Sequence, residues 1–371
     1  DELYALGPPD FEIGHLADSP DVRFGLRIRD RPRNILIAGN AGSGKTNATA
    51  AILEGVNRMN SANADRFISI IILDKKNDYT PRIREWTNVV RLNAHDSGAR
   101  VGLSSPEGVV PKIWSNSVTS IFCPLANLVS AWTGLNAAIQ WLHQVMSAAD
   151  PKRDRWPSFV LLLELARSGA LAKWLGKQEY ARSLINQLEA ITQSTDVFDC
   201  FGGLELERDI IRPRKHLLFE LNNLAPSWVR QFLMNLLFAQ VLLGRMLRGQ
   251  KTNSTEVIFV LDESDQDATA EVDQAFPDKM SPLSLMLRMG REYGIMAIIG
   301  LGRLQHASAY VLSEAQYQLT FNQSDARSIS SALSFCPGMS SVVTSNHTAV
   351  SFRRNSSVSS TGRRRPKHSR W

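Results

Sequence analysis

Eight consecutive residues, Gly39-Asn40-Ala41-Gly42-Ser43-Gly44-Lys45-Thr46, follow the pattern GxxxxGK[ST] in full. Glycines at these spacings let successive backbone N–H groups curl around phosphate oxygens, and a helix beginning there adds the positive end of its dipole. The Lys45 ammonium then reaches the β- and γ-phosphates of ATP, and the Thr46 hydroxyl is a hard oxygen ligand for Mg2+. Asn47 opens the helix-compatible stretch that follows and completes the candidate nucleotide-binding set. A Gly-rich turn without a ligand is the plainer reading. A strand-like run before the loop (34–38, NILIA) and a helix-like stretch after it argue against that.

Hydrolysis needs a second, acidic element. The apolar run VIFVL at 257–261 ends in Asp262 and Glu263. Asp262 would hold Mg2+ through water, and Glu263 would polarise the attacking water. Two adjacent acids at a strand end also suit a solvated turn, and it is the partnership with the phosphate loop that favours chemistry. Arg288 and Arg291, in LMLRMGREYG, are candidate cations for the γ-phosphate, often supplied from a neighbouring subunit in such enzymes. Their competing reading is a solvated helix face, because Glu292 follows directly. Residues 74–78 (DKKND) end another apolar run, where α/β sheets collect ligands, and they suit an ordinary surface turn equally well.

The elements that must position these groups are runs apolar on both faces: 34–38, 67–73, 215–221, 256–261 and 294–299. Such runs mark central strands of a parallel sheet, so the fold class is α/β with a mainly parallel sheet. Between 105 and 214 the character turns helical, with Trp114, Trp132, Trp141, Trp156 and Trp174 and amphipathic stretches at 158–175 and 178–193. Those tryptophans read as core. The expected organisation is an N-terminal part of the core over 1–104, an inserted all-helical module over 105–214, the rest of the core over 215–352, and a basic tail over 353–371. Lys45 and Asp262 stand about 215 residues apart, more than the intervening βα units need, which is the separation an insertion produces. A further strand at 316–321, a helix at 324–333 and a strand pair near 340–352 complete the reading.

Composition narrows the class further. The chain has 371 residues, 43% hydrophobic, with 42 basic against 36 acidic and a net charge of +6. Global disorder is excluded. Seven basic residues lie between Arg353 and Arg370 and no acid follows Asp325, so the body holds 35 basic against 36 acidic residues. The basicity is therefore a property of the tail, which weakens a reading of the net charge as a DNA-binding surface, and the tail itself reads as a flexible arm or as a segment reaching DNA or an adjacent subunit. Three scattered cysteines make neither a disulfide framework nor a metal clip, and a reducing, cytoplasmic setting is expected. The apolar stretch 228–243 carries Arg230, Asn235 and Gln240 and reads as a buried amphipathic helix rather than a membrane span. The start at Asp1 without Met reads as processed, trimmed or cut from a longer chain.

The ordered set GNAGSGKT, IIILDKKNDY, VIFVLDES and GREYGIMAII, with the strand KHLLFELNNL ahead of the third, resembles the HerA–FtsK superfamily of P-loop motor ATPases, and within it HerA-like proteins, over about residues 5–352. The resemblance implies a RecA-like core, a hexameric ring, and ATP-driven translocation of double-stranded DNA through its pore. By residue matching it gives nucleotide and catalytic roles to Lys45, Thr46, Asp262, Glu263 and Arg291. Relatives often work with a nuclease or another effector protein. Two departures stand out. The family's strand after Walker B (here VIFVLDES) usually ends in a polar sensor, commonly Gln, where this chain has Gly300-Leu301-Gly302-Arg303, with Arg303 or Gln305 as stand-ins. The small N-terminal barrel of archaeal relatives also has no counterpart in the 33 residues before the first expected strand. Two functional expectations follow: a DNA-translocating ATPase, or a nucleotide-binding platform in a multi-protein complex, such as antiviral defence, that recruits and regulates an effector. A small-molecule kinase fits poorly, since no lid or acceptor motif is visible.

Overall fold

The first strands, β1 (Phe11–Leu16) and β2 (Ser19–Leu26), form an antiparallel hairpin ahead of the main sheet. The strands that follow are β3 (Asn34–Ala38), β4 (Ser69–Asp74), β5 (Val89–Asn93), β6 (His216–Glu220), β7 (Thr252–Leu261), β8 (Tyr293–Leu301) and β9 (Ala315–Thr320). These seven make one sheet in the order β5-β6-β4-β7-β8-β3-β9, and every neighbouring pair is parallel. This computed structural model describes residues 9–16, 19–96, 98–150, 155–222 and 224–321. The helix expected at 324–333, the strand pair at 340–352 and the basic tail lie outside them.

Period-two alternation explains why the central strands read as unbroken apolar runs. Ile35, Ile37, Ile70, Ile72, Ile258 and Val260 face one side of the sheet, and Leu36, Ala38, Ile71, Leu73, Phe259 and Leu261 face the other. The first side is covered by α1 (Lys45–Ala62), through Ile52, Leu53, Val56 and Met59. The second packs against helices that lie between β5 and β6, namely α2 (Pro111–Leu125), α3 (Trp132–Ala149), α4 (Phe159–Arg167), α5 (Ala172–Leu175) and α6 (Gln178–Ser194). It also packs against α7 (Ser227–Leu247), and the chain then adds α8 (Ala270–Ala275), α9 (Pro282–Met289) and α10 (Ala309–Glu314) around β8. The helical segment shares one continuous core with that face of the sheet, and Trp114 and Trp156 are fully buried in it.

Three expectations are corrected. The stretch 158–175 is two helices, because Gly169 turns left-handed at φ +78° and ends α4, although Ser158 caps that helix as its position suggests, accepting from Leu161 N at 3.1 Å. Strand β5 was not anticipated. It is a half-buried edge strand too short to show a period. The β1–β2 hairpin also precedes the strand taken as first, with Phe11 packed so closely on α1 that Gly55 has no room for a side chain. No helix of the described residues is long and apolar enough to cross a membrane. Cys123 and Cys200 are free, and burial pushes the Cys123 thiol up to about 12, which leaves it inert.

At the start of β6, His216 is buried against Phe67 and Trp86, and its Nδ1 accepts from Ile70 N at 3.1 Å. Burial lowers its pKa from 6.5 to about 4. The unfolded chain therefore binds the proton first, so this contribution to stability is complete above the unfolded pKa and is lost as pH falls from about 6.5 towards 4, by up to about 3 kcal/mol. Urea unfolding at several pH values should show this loss in the wild type. It should shrink in His216→Asn, which keeps an acceptor but cannot titrate.

Candidate active site

Parallel strands deliver their following loops to one edge of the sheet, and this is what assembles the site. β3 runs into the phosphate loop and β7 into Asp262-Glu263, while β8 stands between them and donates no group but anchors the loop: its Leu301 carbonyl accepts from Gly39 N at 3.0 Å. Gly44 caps α1 in a left-handed conformation, φ +101°, that a side chain would strain, and Gly42 within the loop is left-handed too, at φ +74°. Lys45 is buried within the loop and donates from Nζ to Gly39 O at 2.6 Å and Asn40 O at 3.0 Å. Ser43 Oγ is buried with no hydrogen-bond partner. A cradle of N–H groups, a buried ammonium and an unpaired hydroxyl fit a phosphate chain.

The acidic side is equally constrained. Thr46 Oγ1 donates to Asp262 Oδ2 at 2.9 Å, and Tyr79 Oη donates to the same oxygen at 2.9 Å. Glu263 N donates to Asp262 Oδ1 at 2.9 Å. On the facing strand Gly300 leaves room for this carboxylate: a Cβ there would stand 2.3 Å from Asp262 Oδ1. Burial beside Asp262 drives the Tyr79 phenol pKa far up, so it remains a donor. Thr46 and Asp262 are hard oxygen ligands suited to Mg2+. Among the described residues no group of three or more His, Cys, Asp or Glu is placed to hold a metal ion by itself.

Glu263 sits at φ 50°, ψ 49°, a left-handed conformation uncommon outside glycine and concentrated at functional sites. Its carboxylate is paired with Lys76, and this hydrogen bond raises the Lys76 pKa. Lys75 donates to Glu263 O at 3.1 Å and is paired with the buried Asp267. The turn that presents both lysines is built by Asp74, which accepts from Lys76 N, Asp78 N and Tyr79 N at 3.1, 3.2 and 2.9 Å. Burial raises the Asp74 pKa against the pull of these N–H groups.

The structure thus brings together Gly39 through Thr46, Asp262 and Glu263. Asn47 is exposed on α1 and accepts from Arg82 Nη2 at 2.8 Å. Arg288 and Arg291 are not brought in: both are exposed and precede β8, at the opposite edge of the sheet, about 30 Å down the strand from the phosphate loop of their own chain. Tyr79 and Asp267 were missed as site residues, whereas Lys75 and Lys76 lie in the 74–78 strand end read either as a ligand site or as a surface turn. The run DKKND carried a signal, but only the Asp74-centred turn shows which side chains, with Tyr79 beside them, face Asp262 and Glu263.

Residues 11–111, which include the phosphate loop and the Asp74 turn, match the family described as Helicase HerA, central domain. The resemblance to the HerA–FtsK superfamily is borne out. The chain also shares its fold with VirB4 of Thermoanaerobacter pseudethanolicus, at 16% identity and a TM-score of 0.62, covering 89% of this chain and 88% of that one. It is similar to the bacterial conjugative coupling protein TrwB as well, solved with ADP and Mg2+ (12% identity, TM-score 0.56, covering 86% and 76%) and with the non-hydrolysable ATP analogue ADPNP (12%, TM-score 0.57, the same coverage). At these identities the likeness concerns the fold. No curated protein matches the chain.

Proposed function

We propose that this HerA-type chain hydrolyses ATP as a subunit of a ring, a hexamer by resemblance, that moves double-stranded DNA. The observation that carries the reading is the meeting of Thr46 Oγ1 with Asp262 Oδ2 beside a buried Lys45, with Glu263 next in line. TrwB, which has the same fold, was solved with ADP and Mg2+.

Each residue has a task in this scheme. The loop N–H groups and Lys45 bind the phosphates and offset charge that builds on the γ-phosphate. Thr46 and Asp262 would hold Mg2+, which when bound neutralises phosphate charge. Glu263 orients a water in line with the γ-phosphate, once its carboxylate is released from Lys76. Tyr79 keeps Asp262 aimed at Thr46. Arg288 and Arg291, exposed at the far edge of the sheet, suit a neighbouring subunit's site, where an arginine stabilises the transition state. DNA contacts would be mainly to phosphates and hence salt-dependent. A nuclease or other effector partner and a cytoplasmic setting rest on the family resemblance and composition, and an antiviral role is the furthest extension of that reading.

Particle mass measured with and without ATP and double-stranded DNA tests the ring. Assembly to a defined closed oligomer supports the proposal. A monomer under all conditions contradicts it, because Arg288 and Arg291 then reach no phosphate.

A further inference from the structure

The strand that carries no polar sensor ends in an arrangement of its own. Beyond Leu301, whose carbonyl is bonded to Gly39 N, come Gly302 and Arg303. Asp265, three residues past Asp262 on the turn after Walker B, grips both backbones: its Oδ1 accepts from Gly302 N at 2.8 Å and from Arg303 N at 2.9 Å, and its Oδ2 from Gly302 N at 2.9 Å. A Cβ at 302 would lie 3.1 Å from Asp265 Oδ2 and 3.2 Å from Oδ1, so a side chain there would press on the clamp. The absence of a sensor side chain at 302 thus goes with the presence of the clamp. The next residue, Arg303, is exposed, and its guanidinium has no hydrogen-bond or ion-pair partner among the described residues.

Distance separates this arginine from the other two. The Lys45 ammonium rests on Gly39 O, which marks the corner of the loop where the outer phosphates belong. The Arg303 backbone is two residues, about 7 Å, from the residue bonded to Gly39, within reach of an arginine side chain. Arg291 is the whole length of β8 away. A guanidinium presents a planar fork matched to phosphate oxygens, and holding its backbone at two N–H groups lowers the entropy lost on binding.

We propose that Arg303 contacts the γ-phosphate of ATP bound to its own chain, with Asp265 as the positioning residue that presents it. This rests on the reading of the phosphate loop as an ATP site.

Equilibrium binding of ATPγS and of ADP to the full chain, with Mg2+, tests it without requiring turnover. In Arg303→Ala the affinity for ATPγS should fall about tenfold or more, the size of a lost charge-assisted hydrogen bond, while ADP stays within about threefold of wild type. Arg303→Lys should recover part of the loss. Asp265→Ala should shift ATPγS in the same direction, and the double variant Arg303→Ala/Asp265→Ala should lose no more than Arg303→Ala alone. Unchanged discrimination between ATPγS and ADP in Arg303→Ala overturns the proposal and leaves the ATP site standing. A wild type that binds neither nucleotide overturns the ATP reading and this proposal with it. Mixing Arg303→Ala with Glu263→Gln subunits adds the test of which chain is served. A contact within one chain gives no recovery of ATPase activity, and recovery would overturn the same-chain assignment.

Discussion

Glu263→Gln should lower kcat for ATP hydrolysis by about 10²- to 10⁴-fold, the usual cost of removing a general base or water-orienting acid, while ATPγS and ADP bind within about threefold of wild type. The asymmetry follows from the geometry. Asp262, not Glu263, faces the Thr46 hydroxyl, and in the proposed scheme the phosphates are held by the loop N–H groups and Lys45, not by Glu263. An amide fills the same space as the carboxylate, so the left-handed turn and the bond from residue 263 N to Asp262 Oδ1 are kept. What is lost is the charge that polarises water. Lys76, whose pKa is raised mainly by its bond to Glu263, loses that partner too, but it is largely exposed and its desolvation cost is small. Single-turnover phosphate release alongside nucleotide binding separates the two effects. An equal loss of binding and turnover would mean that Glu263 holds the phosphates or the metal and does not orient water.

Arg245→Ala should destabilise the fold by about 3–5 kcal/mol, because it leaves a buried carboxylate without its partner. Arg245 is 1% exposed in the last turn of α7. It donates to Glu207 Oε2 and Oε1 at 3.1 and 3.3 Å, to Tyr293 O at 2.7 Å, and stands 2.9 Å from Glu256 Oε2. One guanidinium therefore ties together the end of the helical segment, α7, the middle of β7 and the first residue of β8. The double variant Arg245→Met/Glu207→Gln should regain much of the loss, since it removes both charges and keeps the volume. Urea midpoints of the three proteins decide the matter. If the single and double variants are equally unstable, the loss is one of packing, not of an orphaned charge. Because β8 carries Leu301 to the phosphate loop, residual nucleotide binding in the folded fraction of Arg245→Ala also reports whether its register is kept.

How much of this was legible in the sequence depends on whether a feature is local. The phosphate loop, Thr46 and the Asp262-Glu263 pair were, because glycine spacing and an apolar run ending in acids encode their own geometry within a few residues. The central strands were too, since burial on both faces leaves no alternation to confuse them. The half-buried β5 and the β1–β2 hairpin, whose apolar residues are interrupted by polar ones, lacked that signal. Tyr79 was hidden because its partner Asp262 is 183 positions away, joined only by the β4–β7 pairing. Arg288 and Arg291 were readable as cations but not as residues of the far edge. That placement follows from all seven strands being parallel, so that whatever precedes a strand lies opposite the phosphate loop. Asp265 and Gly302 illustrate the same limit: the missing sensor is visible in the sequence, and the clamp that stands in its place is not.

Steady-state phosphate release from ATP by the wild-type chain, with and without double-stranded DNA, and with Lys45→Ala as the reference, addresses the proposed motor most directly. Release that depends on Mg2+, rises on adding DNA, loses that rise at high salt, and is abolished in Lys45→Ala is the predicted result. Release no greater than that of Lys45→Ala, with or without DNA, would contradict it.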